Sequence, residues 1–116
     1  QITPLLEKNQ INGMMHITGG AFTKLKDILV NANAVIDHGK NLKPQKIFFE
    51  IYKKGVSNKT MYSTFNCGIG FILSVPKQET SKILSKIREA KVIGEIVKGG
   101  SEVNIKSAFD QRIVKL

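Results

Sequence analysis

The chain has 116 residues, enough for one domain with a sizeable core, and its 41% hydrophobic and 23% charged content excludes disordered and collagen-like classes. Eighteen Lys and Arg against nine Asp and Glu give a formal net charge of +9, which attracts anions at long range and points to phosphate-bearing ligands. No stretch approaches the ~20 apolar residues of a bilayer span, QITPLLEKNQ lacks the layout of a secretory signal, and the single Cys67 offers neither an internal disulfide nor a zinc site. These exclusions predict a soluble, cytoplasmic protein with no membrane partner and no metal or redox role of its own.

Position 1 is Gln, and the helix-like ITPLLEKN starts almost at once, so the chain is expected to be part of a longer polypeptide. GMMHIT, from residue 13, reads as a strand with Met15 and Ile17 on one face and Met14, His16 and Thr18 on the other. AFTKLKDIL follows as a helix with Phe22, Leu25, Ile28 and Leu29 on one stripe. AVID is a short strand. Pro44 is placed in the first turn of a helix whose buried face is Ile47, Phe48, Ile51 and Tyr52, with Gly55 as its left-handed stop. GFILSV is the next strand, ended by Pro76, and SKILSKIREA sets Ile83, Leu84 and Ile87 on one side of a further helix. VIGEIVK is a strand that Gly99-Gly100 turns toward EVNIK as a hairpin, and RIVKL closes the chain. The fold class expected is therefore α+β, a single domain with a mixed β-sheet covered by helices.

The lysines are scattered over this pattern. Lys43/Lys46 and Lys53/Lys54 are the local clusters, with no Arg-rich run and little aromatic interleaving, so no specific nucleic-acid partner is expected.

Two places concentrate polar chemistry. Thr18-Gly19-Gly20 lies at a strand-to-helix junction, where free helix N–H groups and the positive dipole end favour phosphate or carboxylate. Glycine permits close backbone approach, Thr18 can donate from its hydroxyl, and His16 shares its strand face. Thr64, Asn66, Gly68 and Gly70 crowd the entrance to the GFILSV strand. On the residues alone the plainer reading is favoured at the first place and stands beside the functional one at the second. The glycines would then be turn chemistry, His16 a hydrogen-bonded core residue, Asn66 a side chain bonded to its own backbone, and Cys67 a small buried hydrophobe.

Taken together, GMMHITGGAF and MYSTFNCGIGF resemble two segments of the C-terminal domain of the phosphoribosylformylglycinamidine cyclo-ligase (aminoimidazole ribonucleotide synthetase) family. The resemblance spans essentially the whole chain, including AVID, VPKQET and VIGEIV. Ala21 stands where a third glycine is usual, Thr60 where Glu is usual, and Phe71 where Met is usual. The resemblance implies an ATP- and Mg2+-dependent closure of formylglycinamidine ribonucleotide to aminoimidazole ribonucleotide in purine biosynthesis. In that family ATP phosphorylates the substrate's amide oxygen, and the substrate's own amidine nitrogen then closes the imidazole, releasing ADP and phosphate. It also implies that the ATP-binding segments and the homodimer contact belong to an N-terminal domain, the own partner of this half, so this chain alone is expected to be inactive. The residues it assigns are His16 to catalysis and Thr18, Gly19, Gly20, Thr64 and Asn66 to substrate. Cys67 is expected to be chemically dispensable. The alternatives are the C-terminal half of a related synthetase or kinase (formylglycinamidine ribonucleotide synthase, selenophosphate synthetase, thiamine-monophosphate kinase, a hydrogenase maturation factor) and a free-standing anion- or RNA-binding α+β module.

Overall fold

A computed structural model describes residues 11–17 and 21–116. The helix-like start expected in residues 1–10 and the Thr18, Gly19 and Gly20 corner lie outside the described residues.

The strands are β1 (Gly13–His16), β2 (Ala32–Asp37), β3 (Phe71–Ser74), β4 (Gly94–Lys98), β5 (Val103–Lys106) and β6 (Ile113–Lys115). The helices are α1 (Lys46–Lys53), α2 (Asn58–Thr64) and α3 (Thr80–Lys86), and a 3-10 helix spans Ala21–Ile28. The expectation of an α+β fold with a mixed, helix-covered sheet holds, because β2 runs parallel to β5 but antiparallel to β4, and β5 pairs β6 antiparallel.

Alternation along β2 puts Ala34 and Ile36 on one face, and their neighbours in the register, Val103 and Ile105, continue it on β5. Phe22 and Leu25 from the 3-10 helix and Met61 and Tyr62 from α2 close over that face, and Val114 and Leu116 complete the core. With three residues per turn, Phe22, Leu25 and Ile28 stack on one line. The first two are buried, while Ile28 is exposed.

Several local expectations are corrected. VIGEIVK and EVNIK do not form a hairpin: β2 lies between β4 and β5 and pairs with both, so Gly99-Gly100 crosses over β2's end. Pro44 precedes α1, whose N-cap is Gln45, and Ile47 points away from the core at 59% exposure while Phe48, Ile51 and Tyr52 pack against it. Of the third expected helical face only Ile83 is buried. α2, capped by the Ser57 hydroxyl accepting from the Thr60 N–H, falls in a stretch expected only to lead into a strand.

β1 and β3 form a separate two-stranded antiparallel ribbon. Its inner face, Met15 and Ile72, packs on the core that Ile17 joins, and its outer face carries the exposed Met14, His16 and Phe71. The β1 alternation is as the sequence implied.

Gly94 opens β4 where a side chain has no room. A Cβ there would lie inside contact distance of the Val35 carbonyl oxygen and the Ile36 Cα, both backbone atoms of β2. Gly94→Ala is therefore expected to push β4 off β2 and lower stability by about 1–3 kcal/mol, read as a fall in the chemical-denaturation midpoint. An unchanged midpoint would show that β4 pairs more loosely than the register indicates.

Candidate functional site

The antiparallel register of the ribbon brings the end of β1 beside the start of β3. His16 stands directly opposite Phe71, and the Ile17 N–H donates to the Gly70 carbonyl at 2.7 Å. His16 and Ile17, at the C-terminal end of β1, therefore lie at the end of the ribbon at which residues 66–70 enter β3. Two stretches some fifty positions apart in sequence thus share one edge of the molecule.

His16 is exposed, not the hydrogen-bonded core residue of the plainer reading. Its imidazole stacks on the Phe71 ring with centroids 4.8 Å apart and planes 13° from parallel. A face-on stack uses the π surface and leaves both ring nitrogens, at the ring edge, for hydrogen bonding.

Residues 66–69 form a tight turn. The Ile69 N–H donates to the Asn66 carbonyl at 2.9 Å, and Cys67 (φ 51°) and Gly68 (φ 90°) both take left-handed backbone, the signature of a type I′ turn. Asn66 Oδ1 accepts from the Gly68 N–H at 2.9 Å, so the plainer reading of Asn66 describes this oxygen, while the NH2 group remains as a donor. Thr64 is the exposed last residue of α2, two positions before the turn.

Cys67 is fully buried, its thiol over the Met61 and Phe65 carbonyls at 3.6 and 3.7 Å, and burial pushes its pKa up to about 12. A thiol so far from ionisation is a packing group. The structure thus places His16 and Asn66 toward one end of the ribbon, adds Thr64 on the approach to it, and brings Phe71 into direct contact with His16. Nothing in the local pattern of GFILSV marks Phe71 as a partner of His16; only the cross-strand register does.

His38 was given no role by sequence reasoning, although the alternation Ala34, Ile36, His38 already sets it on the core side. It is 1% exposed. Tyr62, also buried, places its hydroxyl 2.5 Å from His38 Nδ1 and accepts the Ala108 N–H at 3.0 Å. With the proton of the neutral ring on Nε2, Nδ1 is the acceptor for the Tyr62 hydroxyl. Nε2 has no hydrogen-bonding partner of good geometry among the described residues, although the Cys67 carbonyl lies close enough to favour a proton there. Burial wins and lowers the His38 pKa from 6.5 to about 4, and burial likewise pushes Tyr62 up to about 12.

A second polar cluster lies away from the ribbon, in an open cleft of about 450 Å³ lined by Tyr52, Asn58, Lys59, Asp110, Arg112 and Lys115 among others. Asp110 Oδ2 accepts from the Tyr52 hydroxyl at 2.9 Å and from Asn58 Nδ2 at 2.7 Å, and Oδ1 accepts from the Arg112 N–H at 3.0 Å. Burial pushes this carboxyl up, but the bonds from Arg112, Asn58 and Tyr52 together hold it below its usual value. Asn58 Oδ1 in turn accepts from Ser107. These groups satisfy one another and tie the α1–α2 corner to the turn before β6. Among the described residues, no group of three or more His, Cys, Asp or Glu could hold a metal ion, and no helix is long and apolar enough to cross a membrane.

Comparison with known proteins bears on this arrangement. Residues 1–106 match the family described as AIR synthase related protein, C-terminal domain. The chain belongs to this family. It is 39% identical over 111 residues to the phosphoribosylformylglycinamidine cyclo-ligase of Clostridium perfringens, covering 90% of this chain and 33% of that protein. It is 35% identical over 104 residues to the enzyme of that name from Methanosarcina barkeri (89% of this chain, 30% of the relative). Over 118 residues it is also 35% identical to the one from Saccharolobus solfataricus (99% and 35%). The chain spans about a third of the length of the curated relatives it matches. The resemblance drawn from GMMHITGGAF and MYSTFNCGIGF is thereby confirmed as membership of this C-terminal domain family.

The buried, neutral His38 gives this AIR synthase-related domain a defined acid response. Its folded pKa of about 4 lies below the ordinary 6.5, so the unfolded chain binds the extra proton first as pH falls. The stabilisation is complete above about pH 6.5 and is lost on descent toward pH 4, amounting to about 3 kcal/mol when the loss is complete. The thermal midpoint should drop between pH 7 and about pH 4.5, and His38→Leu should flatten that drop. A variant with the parent's full pH dependence would contradict the assignment.

Proposed function

We propose that this chain is the substrate-binding C-terminal part of a phosphoribosylformylglycinamidine cyclo-ligase, which closes formylglycinamidine ribonucleotide to aminoimidazole ribonucleotide at the expense of ATP. The observation that carries the reading is the pairing of β1 with β3, which sets the two family-like segments side by side at one exposed end of the ribbon. The family assignment and the names of the curated relatives support the same reading.

In this proposal the ribbon end is a wall of the active site facing the rest of the enzyme. Thr18, Gly19 and Gly20 hold the ribose phosphate through backbone N–H groups and the threonine hydroxyl, as a strand-to-helix corner can. Asn66 gives its NH2 protons, and Thr64 its hydroxyl, to polar edges of the substrate, while Asn66 Oδ1 stays committed to the turn. His16 presents an imidazole nitrogen to the reacting amide region, orienting it or meeting charge that develops as the ring closes. ATP with Mg2+ supplies the phosphoryl group that makes the amide oxygen a leaving group. ATP and Mg2+ are assigned to an N-terminal domain, within the part of the relatives' length that this chain does not span. That domain also provides the homodimer contact, the reaction is placed in the cytoplasm, and the chain by itself is inactive.

The test is kinetic. In the complete enzyme, Gly20→Val is expected to block approach of the phosphate and raise KM for the ribonucleotide about tenfold or more, with KM for ATP nearly unchanged. Equal loss of both affinities would remove the phosphate role from this corner. Ribonucleotide-dependent ADP release by the 116-residue chain alone would contradict its assignment as one part of a shared site.

A further inference from the structure

Among the described residues, the imidazole of His16 has no hydrogen bond and no ion pair, and its one ring contact is Phe71. A histidine side chain at the exposed end of a two-stranded ribbon has several open rotamers, and fixing one of them costs entropy that a hydrogen bond would normally offset. Here the offset comes from a cross-strand aromatic pair. His16 and Phe71 are directly opposite in the register, the geometry in which side chains on one face of an antiparallel pair meet. The rings lie 4.8 Å apart and nearly parallel. Phe71 is itself 51% exposed, so little of its surface serves the core.

We infer that Phe71 is a positioning residue for His16: by covering one face of the imidazole it fixes the ring's orientation and directs its nitrogen-bearing edge toward the reacting centre. This rests on the reading of His16 given above and extends it to a residue outside both polar clusters. A rigid ring stacked on the imidazole selects one orientation of it.

Four variants of the complete enzyme test it: Phe71→Leu, Phe71→Tyr, His16→Ala and the double variant Phe71→Leu/His16→Ala. Phe71→Leu keeps apolar bulk and removes the ring. It is expected to lower kcat about tenfold, the scale of a misplaced catalytic group, with KM for ATP unchanged. Phe71→Tyr keeps the ring and restores most of kcat. The double variant falls no lower than His16→Ala alone, because the two residues act as one unit. In parallel, the NMR signals of the His16 ring protons lose their upfield ring-current shift in Phe71→Leu and keep it in Phe71→Tyr. If His16→Ala abolishes turnover while Phe71→Leu retains the parent's kcat, or if the two losses simply add, the positioning role is overturned and the reading of His16 stands. If His16→Ala retains the parent's kcat, both are overturned.

Discussion

The hydroxyl of Tyr62 has to be satisfied inside a core that excludes water, and the way it is satisfied sets the position of much else. It meets His38 at the end of β2 and the backbone of Ala108 in the turn before β6, while its ring packs edge-on to Phe22 at 5.6 Å and against Phe109 at 5.8 Å. One side chain therefore pins α2 to the sheet, to the 3-10 helix and to the 107–112 turn. A buried hydroxyl left without partners costs about 1–3 kcal/mol, so these contacts tolerate little slippage. Because α2 runs straight into the 66–69 turn and β3, fixing Tyr62 also fixes where Asn66 sits and where β3 meets β1.

The family-like segments accordingly divide into two kinds of residue. In MYSTFNCGIGF, Met61, Tyr62, Cys67 and Ile69 are core, and in GMMHIT, Ile17 is core. These hold the ribbon against the sheet. Thr64, Gly68, Gly70, Phe71, Met14 and His16 are exposed, and Asn66 is half-buried between the two sets. A run of similar residues long enough to identify the family is thus mostly scaffold, with the polar groups of the proposed site interleaved at the positions that face outward.

Strands were legible in the sequence because period-two alternation survives in short windows: β1, β3, β4, β5 and β6 fall within the stretches read from it, β2 begins two residues before AVID, and the tight turn at Asn66 follows from Asn and Gly chemistry. Pairing was not legible. Gly99-Gly100 looks like a hairpin turn locally, but β2, sixty residues upstream, offers Ala34 and Ile36 to both β4 and β5 and takes the central place between them. α2 was missed because its buried residues, Met61 and Tyr62, are adjacent, and a seven-residue helix shows no repeating stripe. The Ser57 cap was its available signal. For the same reason His16 could not be read as exposed or as paired with Phe71, since both facts depend on the register of strands that lie far apart along the chain.

The central claim is that the ribbon end formed by β1 and β3 is the ribonucleotide site. It is tested most directly by a crystal structure of the complete protein with a bound ribonucleoside monophosphate analogue of the substrate. The account predicts the phosphate within hydrogen-bond distance, 2.7–3.2 Å, of the backbone N–H groups of Gly19, Gly20 or Ala21, with the amide end of the analogue toward His16 and Asn66. An analogue seated instead in the cleft between Tyr52, Asp110 and Arg112, with the ribbon end bare, would contradict it.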